Sequence, residues 1–376
     1  MTSRSPAKPP SAAADGGFRR SPSVPSEGSS PAASVAAMDL AELTTLRLGG
    51  PARSVIDATT EEHLLEAVRI ADEAGDPLLV VGGGSNLVVA DEGVDATVVR
   101  VLTRGMRVDA DACSGAMVTV AAGEPWDDVV ARAVTEGWVG VEALSGIPGA
   151  TGATPIQNVG AYGQEVSQTV ATVRAYDRLD RRVRTIHVVD CGFGYRHSRF
   201  KAEPHRWVVL TVAFQLALGD LGAPVAYAEL ARTLGVEVGE RAPAAEVRRA
   251  VLELRRGKGM VLDPADHDTW SAGSFFTNPL LGPEQADALP EAAPRFAQPD
   301  GTVKTSAAWL IDHAGFGKGY GTPSVSLSTK HALALTNRGD GTTAQLLDLA
   351  REIRAGVQQA YGITLVNEPV LVGCAL

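Results

Sequence analysis

The chain has 376 residues, 45% of them hydrophobic and 21% charged, the balance of an ordinary soluble globular protein with room for two or three domains. Its net charge of −10 argues against nucleic acid as the main partner, because phosphate contacts need a basic surface. No apolar run approaches the roughly 20 residues of a membrane span, the histidines show no HxxxH spacing, so no metal site is expected, and Cys113, Cys191 and Cys374 lie far apart without CxxC spacing, as reduced cytosolic thiols do.

Residues 1–37 are mostly Ser, Pro, Ala and Gly, a composition that buries too little surface to offset chain entropy, so a disordered tail is expected there. Met38 opens the first patterned segment and is a candidate start site. Ser54–Ala58 is β-rich. Thr59 to Ala74 reads as a helix, with Thr59 and Glu62 at capping-box spacing and Gly75 as its stop. Leu78–Val81 is an apolar strand that runs into Gly82-Gly83-Gly84-Ser85-Asn86. Strands follow at Leu87–Ala90, Thr97–Val101 and Val118–Ala121, then a helix at Trp126–Glu136 ended by Gly137.

Gly146 to Gly163 is an uncharged stretch of small residues punctuated by glycine and proline. Strands at Thr169–Tyr176, Val183–Val189 and Val208–Leu218 come next. A helix at Pro243–Arg256 places Pro243 in its first turn. The C-terminal part adds helices at Thr305–Ala314 and Thr342–Tyr361, a strand at Ala332–Asn337, and closing strands at Ile363–Val366 and Pro369–Val372. The alternation predicts an α+β protein of about three parts.

Two glycine-rich segments carry the first functional signal. Gly82–Asn86 follows a strand but fails the Rossmann pattern, because Leu87 stands where the third glycine belongs and a strand follows instead of a helix. It is either a tight turn or a backbone nest for a diphosphate, with Ser85 and Asn86 as added donors. The uncharged Gly146–Gly163 loop suits close approach of backbone to a flat or anionic ligand; its structural alternative is a buried crossover.

GGGSN at Gly82–Asn86 and GIPGATGATPIQNVGAYG at Gly146–Gly163 together resemble the FAD-binding domain of the vanillyl-alcohol-oxidase type. The narrower resemblance is to the UDP-N-acetylenolpyruvoylglucosamine reductases. It continues through TTLRLGGPA at Thr44–Ala52, CGFGYRHSRFK at Cys191–Lys201, AGSFFTNP at Ala272–Pro279 and NEPVLVG at Asn367–Gly373. The resemblance implies a two-part FAD-binding domain plus an α+β substrate-binding domain. The expected division is 1–37 tail, 38–105 and 106–258 for the two FAD-binding parts, 259–362 for the substrate domain, and 363–376 returning to the FAD-binding part. It implies a cytoplasmic enzyme of peptidoglycan precursor synthesis, with non-covalent FAD, NADPH as reductant and a UDP-sugar as substrate. No membrane or nucleic-acid partner is implied.

Reduction of an enolpyruvyl ether builds charge on the carbon beside the carboxylate, so the site needs a fixed cation there and a proton donor on one face. The resemblance assigns these roles to Arg196, Ser274 and Glu368. Arg196 would grip the carboxylate with its planar fork. Ser274 would donate the proton. Glu368 would stand beside the carboxylate, driven toward its protonated form. From residue type and spacing alone Arg196 and Ser274 read first as a surface arginine and a turn serine, and Glu368 has the alternative of an exposed loop carboxylate. The resemblance further implies cofactor contacts at Gly82, Gly83, Gly84, Ser85, Asn86, Gly149, Gly152, Ala153, Ile156 and Asn158. It implies substrate contacts at Tyr162, Tyr227, Arg255, Lys258 and Asn278, Arg255 and Lys258 as diphosphate cations. Tyr227 belongs to an inserted segment of one of the family's two types, and His331 carries no assigned role. Two other readings stay open at this point: an oxidase of the same fold, which would ignore NADPH, and a colourless nucleotide-sugar-binding protein.

Overall fold

The computed structural model describes residues 38–376. The expected tail at 1–37 lies outside the described residues. The first part is a parallel three-stranded sheet, ordered Ala52–Ala58, Val94–Val101, Leu78–Val81. The helix Glu61–Ala74 covers it. Thr60, not Thr59, caps this helix, its hydroxyl accepting from the His63 N–H, and Gly75 ends it at φ 68°. The one-residue shift follows from Thr60 holding the extended backbone that a cap requires. Leu64, Val68 and Ala71 line the buried face, the 3–4 spacing that puts side chains on one side of a helix.

The second part is an antiparallel sheet. Its strands run in the order Arg182–His187, Val170–Asp177, Trp207–Leu218, Gly115–Ala121, Met106–Asp111. Gly115–Ala121 alternates buried and half-buried residues, as a one-sided sheet should. Met106–Asp111, a mostly exposed strand that alternates apolar and charged residues, escapes a reading based on apolar runs. Trp126 and Phe214 pack in the core beneath, ring centres 5.5 Å apart.

A smaller cluster is built on the helices Ala228–Leu234 and Ala244–Gly257, with Val225, Leu230, Val247 and Val251 at its centre. Pro243 is the residue before the second helix and not its first-turn residue; its φ of −53° and ψ of 131° lead the chain in. The C-terminal part packs Ala307–His313 and Thr343–Tyr361 on short strands, among them Val325–Leu327 and Leu335–Asn337. Thr342 and Gln345 form a capping box at the long helix. Ile363–Val366 is not a strand. Instead, Phe276 bridges Asn367, and the Thr277 N–H donates to Val366. Val370–Val372 returns to the first part and pairs in parallel with Leu87–Val89. That return decides where the end of the chain sits: beside the first glycine loop.

Candidate active site

Each glycine loop is held by the backbone around it. In the first, Gly84 has φ 61°, and a Cβ there would fall 1.7 Å from the Leu43 carbonyl oxygen, so only glycine fits. In the second, the Trp126 N–H donates to Gly149, the Thr151 N–H to Glu124 and the Gly152 N–H to Ala122. Asp127 accepts from the Gly146 N–H at 2.6 Å and is itself gripped by both Nη atoms of Arg248. The two loops then meet. The Ser85 hydroxyl donates to the Pro148 carbonyl at 3.0 Å, and a Cβ on Gly83 would lie 2.6 Å from Gly149 Cα. Gly83, Ala153 and Ile156 are exposed. A cavity of about 620 Å³ opens beside Gly83, lined in part by Thr45, Arg47, Leu262 and Trp270, within the roughly 300–1,000 Å³ of small-molecule sites. This is a cradle of backbone and small side chains, and it fits the diphosphate and flat rings of FAD.

Asn158 stands apart from the other expected cofactor contacts. It is buried, and its amide donates to Glu165 at 2.8 Å and to the Gly194 carbonyl at 3.1 Å while accepting from the Ser167 N–H. Its side chain is spent on protein partners and shapes the loop. Asn86 is likewise tied, donating to Gln157 at 2.9 Å.

The three residues expected to carry the chemistry come from distant segments. Tyr195 and Arg196 form a tight turn in which Gly194 and His197 exchange N–H···O bonds. Arg196 adopts φ 52°, a conformation costing roughly 1–3 kcal/mol outside glycine. The Lys201 ammonium donates to the Arg196 carbonyl at 3.2 Å and helps hold it. One Arg196 Nη donates to the Gly160 carbonyl at 3.1 Å. Arg196 Nε lies 2.8 Å from Glu368 Oε1. The N–H points off that line and makes no hydrogen bond, so charge holds the pair. Glu368 is in turn placed by its own N–H, which donates to the Phe275 carbonyl at 2.9 Å. Phe275 follows Ser274, so the serine's segment lies directly against the glutamate's. Phe275 and Phe276 are both buried.

Burial pushes the Glu368 carboxyl above its usual range, against the pull of Arg196 and Lys201. Burial also lowers Lys201, with Arg196 adding to the effect and Glu368 opposing it. The Asn278 backbone N–H donates to the Tyr195 hydroxyl at 3.3 Å, and the Asn278 side-chain Oδ1 accepts the Ala307 N–H at 3.0 Å. Among the described residues, six non-glycine residues have positive φ, and Asn158, Tyr162 and Arg196 are three of them. Backbone strain is gathered here, as it is at functional sites generally.

The expected substrate contacts form a second group. The Tyr162 and Tyr227 rings meet edge to face at 5.7 Å. Lys258 Nζ stands 5.6 Å from the Tyr162 ring centre and pairs with Glu229 at 2.5 Å. Burial pushes the Tyr162 hydroxyl up to about 12. Arg255 is buried, and one Nη donates to the Met260 carbonyl at 2.9 Å. Its Nε is without a partner, and burial pushes its pKa down to about 10. Arg255 lines a small cleft with Pro148, Ser271 and Gly273, and like Lys258 it lies near Tyr162. His331 accepts the Leu333 N–H at Nδ1, and burial with Lys258, Lys318 and Arg255 nearby pushes it down to about 4. It is therefore neutral. Tyr195, Lys201 and Glu229 were not singled out from sequence. The first two lie inside the CGFGYRHSRFK motif, which was the signal available for them.

Paired glycine loops between a parallel and an antiparallel sheet, joined to an α+β part that delivers polar groups to their edge, define a flavoprotein with an FAD-binding domain of the vanillyl-alcohol-oxidase type. Residues 52–186 match the FAD binding domain family, and residues 263–372 match the UDP-N-acetylenolpyruvoylglucosamine reductase C-terminal domain. The chain is 59% identical to the UDP-N-acetylenolpyruvoylglucosamine reductase of Cutibacterium acnes, over 90% of each chain. It is 57% identical to that of Streptomyces coelicolor, over 94% of each. Among solved structures, the UDP-N-acetylenolpyruvylglucosamine reductase of Thermus caldophilus matches with a TM-score of 0.61 at 26% identity, over 90% of this chain and 98% of that one. The chain belongs to the UDP-N-acetylenolpyruvoylglucosamine reductase family and is an FAD-dependent oxidoreductase.

Proposed function

We propose that the chain reduces UDP-N-acetyl-enolpyruvoylglucosamine to UDP-N-acetylmuramate with NADPH, in peptidoglycan precursor synthesis. The observation that carries this reading is the gathering of Arg196, Glu368 and the Ser274 segment beside the two glycine loops. Gly82, Gly83, Gly84, Ser85, Gly149, Gly152, Ala153 and Ile156 hold the cofactor, and Asn86 and Asn158 shape the loops. FAD, when bound there, supplies hydride transfer between NADPH and the sugar.

The chain's own groups do the rest. Arg196 offers its remaining N–H groups to the substrate carboxylate and meets the negative charge that develops there. Ser274 donates a proton to the adjacent carbon; a serine hydroxyl is a weak acid, but an enolate is a strong base, and positioning makes the transfer effective. Glu368, its carboxyl already raised by burial, is raised further by a substrate carboxylate and acts as a donor to it. Tyr227 and Lys258 take the sugar diphosphate, with Asn278 and Tyr162 beside them. Arg255 joins Lys258 as a diphosphate cation, since it keeps an unpartnered Nε, lies near Tyr162 and lines the cleft with Pro148 and Gly273.

The division into 38–105, 106–258, 259–362 and 363–376 is supported by the separate sheets and by the return of Val370–Val372. A cytoplasmic setting is supported by the nature of the reductant. Among the described residues no helix is long and apolar enough to cross a membrane. No membrane or nucleic-acid partner enters this reading.

An anaerobic titration tests it. NADPH should bleach the flavin of the purified yellow protein, and UDP-N-acetyl-enolpyruvoylglucosamine should then restore the colour one equivalent for one. Reoxidation by oxygen but not by the sugar would overturn the proposal in favour of an oxidase.

A further inference from the structure

Glu142 is 1% exposed, and no cation lies within ion-pair distance of it among the described residues. A lone buried carboxylate is costly unless hydrogen bonds satisfy it. Here three donors converge. Oε2 accepts the Gly140 N–H at 2.7 Å, and Oε1 accepts the Gln164 amide at 2.9 Å and the Ala223 N–H at 2.6 Å. Gln164 returns the contact, its carbonyl oxygen accepting the Ala143 N–H at 2.8 Å. At Gly222 a Cβ would sit 2.9 Å from Glu142 Oε1, so glycine is what lets the chain come this close.

These donors belong to two functional segments. Gln164 closes the hairpin Gly160–Glu165, whose turn is Tyr162-Gly163 and whose Gly160 carbonyl takes the Arg196 guanidinium. Ala223 lies four residues before Tyr227. At the hairpin tip a Cβ on Gly163 would lie 2.6 Å from the Ala226 Cβ, and Tyr162 meets Tyr227 edge to face.

We propose that Glu142 is a positioning residue for substrate binding: its carboxylate locks the Tyr162 hairpin to the segment that carries Tyr227. The inference rests on the reading of Tyr227 as a substrate contact. Two accepting oxygens are required, because three N–H groups point at them. In Glu142→Gln the new NH₂ would face one of those donors, so one contact is lost and one N–H is left unsatisfied.

The test is Glu142→Gln in the full-length, FAD-loaded enzyme, with Gln164→Leu as a second variant that removes only the amide bridge. Both should raise KM for UDP-N-acetyl-enolpyruvoylglucosamine by up to the roughly 3- to 10-fold that the Tyr227 contact they act through is worth, with a smaller change in kcat. Flavin reduction by NADPH, followed by stopped-flow absorbance, should keep its rate. Combined with Tyr227→Phe, either variant should add little to the Tyr227→Phe effect, since the two act through one contact. An unchanged KM with a lowered unfolding temperature would make Glu142 merely structural and overturn the proposal, as would effects that multiply with Tyr227→Phe. Should Glu142→Gln fail to fold, Gln164→Leu carries the same test. Failure of the functional reading looks different: the unaltered enzyme, once reduced, would not be reoxidised by the sugar at all.

Discussion

The two halves of the site are built in opposite ways. The proposed cofactor cradle is local: the first glycine loop follows directly from a strand, the second is held by backbone bonds to residues 122–126 that follow another strand, and glycine is needed where a Cβ would strike backbone. The proposed catalytic cluster is assembled from afar: Arg196, Ser274 and Glu368 come from three parts of the chain, and their segments meet through one ion pair and one main-chain bond. The contrast teaches where each half is vulnerable. A cradle made of backbone fails through sterics. A cluster made of side chains fails through chemistry while the fold stays intact.

The largest expected effect tests that separation. Ser274→Ala should leave flavin reduction by NADPH intact and slow reoxidation by the sugar by about 10²- to 10⁴-fold, the usual worth of a positioned proton donor. Rapid-mixing absorbance reads both half-reactions, and an equal fall in both would remove serine from the acid role. Gly83→Ala attacks the other half. A Cβ 2.6 Å from Gly149 Cα has only backbone to push against, and overpacking of this kind costs about 1–3 kcal/mol. FAD affinity should weaken by about 10- to 100-fold, measured as flavin lost on dilution, with half-reactions of the loaded fraction little changed. A Gly83→Ala protein that holds FAD normally would mean that the loops are not the cradle.

Glu368 sharpens the comparison through pH. Burial raises its carboxyl, so the protonated, donating form persists to higher pH than an ordinary carboxylic acid would allow. Sugar-dependent reoxidation should therefore fall as pH rises through that raised value. Glu368→Gln, whose amide donates at every pH, should flatten this limb and lower the plateau by about tenfold, the scale of one hydrogen bond to a charged group. A pH profile identical in the two proteins would take Glu368 out of the proton inventory.

The same asymmetry explains what could be read from sequence. Helix and strand positions in the first two parts follow from apolar period and glycine stops, and the structure shifts them by a few residues at most. Met106–Asp111 has no apolar run; its signal is the alternation of Met106, Val108 and Ala110 with Arg107, Asp109 and Asp111, of which Met106 and Val108 pack on the core. Ile363–Val366 looked like a strand because its apolar residues alternate, but it is held by single contacts to Phe276 and Thr277. In the site, the glycine loops had a physical signature of their own. Arg196, Ser274 and Glu368 had none, since spacing along the chain does not encode which loops will touch; only the family motifs marked them. Lys201 sat inside such a motif, yet its contact with the Arg196 carbonyl depends on a turn with positive φ, which no residue pattern there announces. Arg255 and Lys258, three apart at one helix end, read as a pair and both stand near Tyr162, but spacing does not announce that Arg255 is buried and that Lys258 pairs with Glu229.

Tyr227 gives the smallest expected effect and the finest division between the halves. Its ring is half exposed at 49% and rests on Tyr162, so packing alone does not fix it; its hydroxyl is free to meet a ligand. Tyr227→Phe keeps the ring contact and removes only that hydroxyl. KM for the sugar should rise by about 3- to 10-fold, one neutral hydrogen bond's worth, with kcat nearly constant, because the contact holds the remote diphosphate equally in ground and transition states. NADPH-driven flavin reduction should not change. Were kcat to fall with KM constant, the tyrosine would belong with Arg196 and Ser274 at the reacting carbon, and the line between a binding segment and a chemical cluster would have to be redrawn through the Tyr162 hairpin.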